Sequence, residues 1–135
     1  MKNKFYVASR LSKLQPSPSE QEAIRTALES IAKDAAAQQD FFAYCKKWKL
    51  APWACVQLKR LGMWGLLLAE TQNAFDAMHQ KVWQQNEARN QEAKLFLQAF
   101  AEQEIDAAVL KGNLLLHTAY HDLGYKKMND FDILV

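Results

Sequence analysis

The chain has 135 residues, of which 50% are hydrophobic and 24% are charged. This composition excludes a disordered tail, which requires low hydrophobicity and high net charge. The formal net charge of +2 neither predicts nor excludes nucleic acid as a partner, because a nucleic-acid footprint needs clustered basic residues. With only 4 glycines and 3 prolines, the chain is short of turn-forming residues, and we expect a mostly helical protein.

The cysteines and the apolar stretches bear on the cellular compartment. Cys45 and Cys55 cannot form a zinc site alone, since such a site needs four ligands. A disulfide framework needs more cysteines and an extracellular setting. We therefore expect reduced, packed thiols in a cytoplasmic protein. The longest apolar run, Leu66 to Ala69, is too short to span a bilayer, so we expect no membrane partner.

Residues 1–104 predict an N-terminal helical region. Residues 4–14 carry apolar side chains among basic ones, as in a short amphipathic helix. Ser19 followed by Glu22 matches a capping box, and apolar residues then recur at helical spacing, which predicts a helix over 20–33.

The longest predicted helical segment runs from Leu66 to about Gln103, where no glycine or proline interrupts the chain. It is one very long helix or two helices in tandem. Its middle, residues 84–92, is polar even where the apolar stripe passes through Asn86 and Arg89. Two interpretations stay open. Either this part protrudes beyond the core, which we favour, or its polar face lines an active-site cleft.

From Ile105 onward the pattern changes from helices alone to strands and a helix. We expect Gly124 to end the helix in a left-handed backbone conformation, as glycine does at a C-terminal cap. The predicted order is a strand over 105–110, a turn over 111–113, a helix over 114–122 and a strand over 131–135.

Asp130 and Asp132 carry a chemical signal. Side chains alternate along a strand, so both carboxylates project from one face, about 6–7 Å apart. Mg²⁺ prefers oxygen ligands and is usually held by one or two carboxylates together with substrate phosphates. Two such ions clamp the attacking and leaving oxygens in phosphoryl-type displacement. Taken alone, Asp-x-Asp is common by chance and also fits a solvated pair of aspartates.

The Lys111-Gly112 pair lies between the predicted strand and the predicted helix. A glycine there lets backbone N–H groups approach a phosphate, and the N-terminus of the helix adds a partial positive charge. The Lys111 side chain adds a full charge, and Lys126 and Lys127 are further candidates. An ordinary turn is the alternative interpretation of this pair taken by itself.

In this order and spacing, the motifs resemble the uncharacterised bacterial nucleotidyltransferase family of the DNA polymerase β-like superfamily. The family pattern is a strand, Lys-Gly, an apolar helix with a tyrosine, Gly-x-Arg, and then Asp-x-Asp-Leu-Leu-Val. The similarity extends over most of the chain, but its diagnostic motifs lie within residues 109–135. The matching positions are residues 109–116, Tyr120, Gly124, Lys126 and residues 130–135.

The resemblance implies a fold, a reaction and a site. It implies an enzyme that transfers a nucleotidyl group from an NTP to an acceptor hydroxyl with two Mg²⁺ ions. Asp130 and Asp132 match the metal-binding aspartates, which are also the catalytic residues. The positions expected to bind the nucleotide are Lys111, Gly112, Asn113 and Lys126.

This sequence departs from the family pattern in two ways. Lys126 stands where arginine is usual, which keeps the charge but loses the bidentate fork for phosphate. The superfamily also has a third carboxylate on a later strand, and this chain has no counterpart after Val135. We therefore expect the 135-residue piece alone to be inactive.

The expected fold class is α+β, predominantly helical. Residues 1–104 form the helical region, and residues 105–135 form the apparently truncated start of a nucleotidyltransferase-type mixed sheet. A second hypothesis is a non-catalytic helical interaction module with vestigial nucleotidyltransferase motifs. The open edge of the last strand can pair with another chain, which makes a homo-oligomer a candidate assembly.

Overall fold

The computed structural model describes residues 2–135 of the chain, and side chains from Lys4 onward. It confirms a predominantly helical α+β fold. None of the helices within residues 2–135 combines the length and the apolar character that crossing a membrane requires. The elements in chain order are α1 (Lys2–Leu11), α2 (Pro18–Glu29), α3 (Ala35–Lys47), α4 (Ala51–Arg60), a 3-10 turn (Trp64–Leu66), α5 (Ala69–Glu102), β1 (Ala108–Val109), α6 (Lys111–Leu115), a π-helical turn (Leu116–Tyr120) and β2 (Ile133–Leu134).

Helix α2 begins earlier than the predicted segment 20–33, because the cap is Ser17 and not Ser19. The Ser17 hydroxyl accepts a hydrogen bond from the backbone N–H of Glu20 at 3.3 Å. The Glu20 carboxylate in turn accepts one from the backbone N–H of Ser17 at 2.9 Å. Pro18 follows the cap, where its fixed φ suits the first helical position. The capping box is therefore present, two residues before its predicted place.

The described chain divides into two compact units, one ending at His79 and one beginning at Gln80, with the division inside α5. In the first unit, side chains of α1 to α4 and of the start of α5 form one apolar core. The rings of Phe41 and Phe75 meet there at a centroid distance of 5.7 Å. The domain boundary expected after residue 104 stays a prediction.

Both cysteines lie in the core of the first unit. Cys45 and Cys55 are free thiols, and both are fully buried. Burial raises the pKa of each thiol to about 12, because the thiolate would lose its hydration. The expectation of packed thiols is confirmed.

The second unit contains α5 from Gln80 onward and all later elements. The two predicted strands are present, but each is only two residues long. They pair antiparallel, and the backbone N–H of Leu110 adds a bond to the carbonyl oxygen of Asp132 at 2.9 Å. The register places Ala108 opposite Leu134 and Val109 opposite Ile133.

The predicted turn at Lys111-Gly112-Asn113 is instead the start of helix α6. Lys111, the first residue of this helix, adopts a left-handed φ of 55°. The helical stretch ends at His121, which adopts the left-handed conformation with a φ of 54°. The prediction that Gly124 ends this helix is therefore wrong. Histidine is among the residues that tolerate this conformation better than most, so no glycine is needed at the cap.

Candidate functional site

One ion pair joins the Lys-Gly helix start to the Asp-x-Asp segment. The Lys111 ammonium nitrogen lies 3.1 Å from Oδ1 of Asp132. The pairing of β1 with β2 brings them together, since Leu110, the neighbour of Lys111, is hydrogen-bonded to the backbone of Asp132. The side chains are 73% and 39% exposed, respectively. A ligand from solvent can therefore reach both the ammonium and the carboxylate.

Asp130 is held through its backbone while its side chain stays exposed. The side-chain amide of Asn113 donates a hydrogen bond to the carbonyl oxygen of Asp130 at 2.9 Å. Asn113 itself is only 4% exposed. Helix α6 thus contacts both aspartate positions, Asp132 through Lys111 and Asp130 through Asn113. The expected role of Asn113 in nucleotide binding stays a prediction.

Gly112 lies against the side chain of Met128. A Cβ atom at position 112 would fall 2.1 Å from Cε and 2.9 Å from Sδ of Met128. Any larger residue therefore requires the Met128 side chain to move. The contact links Gly112 to the segment before β2, and the approach of its backbone to a phosphate stays a prediction.

The segment between the π-helical turn and β2 is attached to α5 by Asn86. The Asn86 amide nitrogen donates to the carbonyl oxygens of Leu123 and Lys126 at 2.5 and 2.8 Å. Its amide oxygen accepts from the backbone N–H of Met128 at 3.0 Å. Lys126 is thus held by its backbone while its side chain is exposed. Because Asn86 is only 2% exposed, our favoured interpretation, that the polar middle of α5 protrudes, is wrong.

A cleft of about 570 Å³ lies beside Asp130, within the size range of small-molecule sites. Residues from the polar middle of α5 line this cleft. This agrees with the second interpretation of that stretch, in which its polar face lines a cleft. The lining includes a guanidinium and an ammonium group, two carboxylates, an amide and an aromatic ring. These belong to Arg89, Glu92 and Phe96 of α5 and to Lys127, Asn129 and Asp130.

Sequence patterns did not predict the hydrogen bonds of Asn86 or the positions of Glu92, Phe96 and Asn129 at the cleft. Asn86 interrupts the apolar stripe of its helix. A polar residue at such a position is either exposed to solvent or buried with its polar atoms hydrogen-bonded. Phe96 is the reverse case. It belongs to the apolar stripe of the helix, yet it is 64% exposed at the cleft.

The accessible carboxylates of the candidate site suit a metal ion that binds together with a phosphate ligand. Within residues 2–135, no three His, Cys, Asp or Glu side chains come together to hold a metal ion. Asp130 and Asp132 instead offer two accessible carboxylates. Mg²⁺ typically combines one or two carboxylates with waters and substrate phosphates, so this donor set fits an ion that binds together with a phosphate ligand.

The paired strands, the Lys-Gly helix start and the Asp-x-Asp segment are features of a nucleotidyltransferase-like protein. Residues 34–135 match the family model described as uncharacterised nucleotidyltransferase. The match covers most of the chain, including Lys111-Gly112 and both aspartates, and the chain therefore belongs to this family. The resemblance read from residues 109–135 is confirmed. No curated protein and no solved structure matches the chain.

Proposed function

We propose that the protein is a Mg²⁺-dependent nucleotidyltransferase, which binds an NTP and transfers its nucleotidyl group to an acceptor hydroxyl. The observation that carries the proposal is the 3.1 Å contact between Lys111 and Asp132. It places a cation suited to a phosphate beside a carboxylate suited to a metal. Membership of the family supports the class of reaction.

In this proposal, Asp130 and Asp132 hold Mg²⁺, which neutralises charge on the phosphates when it is bound. Lys111 and the backbone N–H of Gly112 bind phosphate oxygens, and the exposed Lys126 side chain adds a second cation. The acceptor oxygen forms a bond to the α-phosphorus, the bond to the bridging oxygen breaks, and pyrophosphate leaves. The proton of the acceptor hydroxyl passes to solvent water in the same reaction.

The ion pair between Lys111 and Asp132 does not oppose this binding. On ligand binding, the Asp132 carboxylate would turn to the metal ion and the Lys111 ammonium would turn to a phosphate. Exposed ion pairs are worth only about 0–1 kcal/mol, so their separation costs little. The cleft lined by Asp130 would receive a further part of the substrate.

The proposal is tested by calorimetric titration of the 135-residue chain with Mg·ATP and the other Mg·NTPs. We expect saturable binding that weakens by about tenfold or more in Asp130→Asn and in Asp132→Asn, since each removes one charged metal ligand. Asp106→Asn is the matched control, because Asp106 is an exposed aspartate of the same unit just before β1. Its affinity should equal that of the wild type.

Two results contradict the proposal. One is a wild-type chain that binds none of the Mg·NTPs, and the other is an Asp130→Asn variant with unchanged affinity. Either result would favour the helical interaction module with vestigial motifs. The buried free thiols also lead us to propose a cytoplasmic location, which fractionation of the cell would test.

A further inference from the structure

Both polar atoms of the Asn86 side chain are used. Its amide nitrogen makes two hydrogen bonds, to Leu123 and Lys126, and its amide oxygen makes one, to Met128. The side chain is almost fully buried. A buried amide without partners would be costly, so its environment must supply both acceptors and a donor. Here the backbone of residues 123–128 supplies all of them.

These bonds hold a segment that has no regular secondary structure. No helix or strand is assigned from His121 to Asp132. The N-terminal part of the segment is closed by Asp122, whose carboxylate accepts the N–H of Gly124 at 2.7 Å. Its other end is fixed by Asn113, which binds the carbonyl oxygen of Asp130. Asn86 secures the part between these two contacts.

The same bonds connect Asn86 to both sides of the proposed nucleotide site. On one side, Asn86 fixes the carbonyl oxygen of Lys126, whose exposed side chain is a proposed phosphate ligand. On the other side, Asn86 fixes the N–H of Met128, whose side chain packs against Gly112. The segment then continues directly into Asp130.

We infer that Asn86 is a positioning residue of the nucleotide site. Its carboxamide sets the backbone of residues 123–128, and through that backbone it places Lys126 and the Met128 contact with Gly112. The inference rests on the proposed function for the ligand, but the contacts themselves do not depend on it.

An amide is the group that this position requires. Aspartate has nearly the same shape, yet its carboxylate would face the carbonyl oxygens of Leu123 and Lys126 and repel both. An aliphatic residue would remove the partner of two carbonyl oxygens and one N–H of the segment, which is costly for each group that stays buried.

The test compares Asn86→Ala with two controls on the same helix. Asn90→Ala removes the same type of side chain one turn later, where the amide contacts the His117 ring and not residues 123–128. Val82→Ala removes buried apolar atoms one turn earlier, which lowers stability without touching the hydrogen bonds of Asn86. The readouts are amide hydrogen exchange and backbone chemical shifts by NMR, and the Kd for Mg·ATP.

We expect the Met128 amide to be protected in the wild type. In Asn86→Ala its exchange should rise by about tenfold or more, with shifts at Lys111 and Gly112 and an Mg·ATP affinity lower by about tenfold. Val82→Ala and Asn90→Ala should keep the wild-type Kd. A general loss of stability would lower the affinity of Val82→Ala as well, so the comparison separates positioning from folding.

Three results would overturn the inference. One is an unprotected Met128 amide in the wild type, which needs no variant to be measured. Another is an Asn86→Ala chain whose shifts at Lys111 and Gly112 are unchanged, and the third is one that binds Mg·ATP as the wild type does. If the wild type binds no nucleotide, the proposed function fails, and the exchange and shift measurements still decide whether Asn86 positions the site.

Discussion

The Lys111 ammonium nitrogen lies 3.1 Å from Oδ1 of Asp132, 21 residues further along the chain. This pair connects the first residue of α6 with the backbone position that pairs to Leu110. Both side chains are open to solvent, so the pair contributes little to stability. Its importance lies in where it holds a positive and a negative group side by side.

Replacement of Lys111 should therefore separate binding from stability. In Lys111→Gln the free energy of unfolding should fall by less than about 1 kcal/mol, because exposed ion pairs contribute no more. Mg·ATP affinity should fall by about tenfold, since a phosphate loses its cation. Urea unfolding and calorimetric titration measure the two quantities. Lys81→Gln, at an exposed lysine of α5, is the control and should change neither. Unchanged affinity in Lys111→Gln would contradict the role of this lysine.

The contact between Gly112 and Met128 predicts a coupled pair of substitutions. In Gly112→Ala the new methyl group displaces only Cε and Sδ of Met128, the far end of a flexible side chain, so the cost should stay below about 1 kcal/mol and be partly offset by the better helix propensity of alanine. Met128→Ala should remove that cost when it is combined with Gly112→Ala. A double-mutant cycle by urea unfolding measures the coupling. If the effects of the two substitutions on the free energy of unfolding are additive, the methyl group at position 112 does not contact the Met128 side chain.

Glu20 predicts an acid-dependent stability of the first unit. A hydrogen bond from the Lys13 ammonium, and then one from the backbone N–H of Ser17, lower the pKa of Glu20 from 4.5 to about 2. A lowered pKa stabilises the folded state above pH 4.5, and this contribution is lost as the pH falls toward 2. Glu20→Gln should therefore be less stable than the wild type at neutral pH.

The stability difference between Glu20→Gln and the wild type should shrink between pH 4.5 and 2. Thermal unfolding across this range measures the difference, with Glu29→Gln, at an exposed carboxylate of the same helix, as the control. A difference that is independent of pH would show that the Glu20 carboxylate is not selectively stabilised in the fold.

The edges of the described two-stranded sheet predict self-association of the 135-residue chain. The described sheet has the order β1-β2, and Leu134 and Val135 are 59% and 73% exposed. Unpaired strand edges with apolar side chains promote pairing between chains. We expect light scattering to show a fraction of dimer that increases with protein concentration. Leu134→Lys should shift the equilibrium toward the monomer. A wild-type mass that stays monomeric at all concentrations would count against this assembly.

Local patterns in the sequence predict the family and the two short strands. The alternation around Asp130 and Asp132, together with Lys111-Gly112, led to the paired strands and to the family. These patterns involve residues that are close in the sequence, so they can be recognised without knowledge of the fold. The capping box predicted at Ser19 and Glu22 is instead formed by Ser17 and Glu20, with Pro18 in the first turn of the helix.

The contacts that fix the site could not be read in this way. Asn86 and Met128 are 42 residues apart, and a helical pattern shows only that Asn86 interrupts an apolar stripe. Whether such a residue protrudes or is buried depends on what packs over it, which is a property of the tertiary fold. The helix end at His121 is similar, because a glycine nearby offered the more familiar cap.

The central claim is that the Lys111-Gly112 helix start and the Asp130–Asp132 segment form one Mg·NTP site. NMR titration of the 135-residue chain with Mg·ATP tests it most directly. We predict saturable shifts of the backbone amides that are concentrated at residues 111–113 and 130–132, with smaller shifts at residues 126–128. Shifts that are absent, or that cluster in the first unit with none at these residues, would contradict the account.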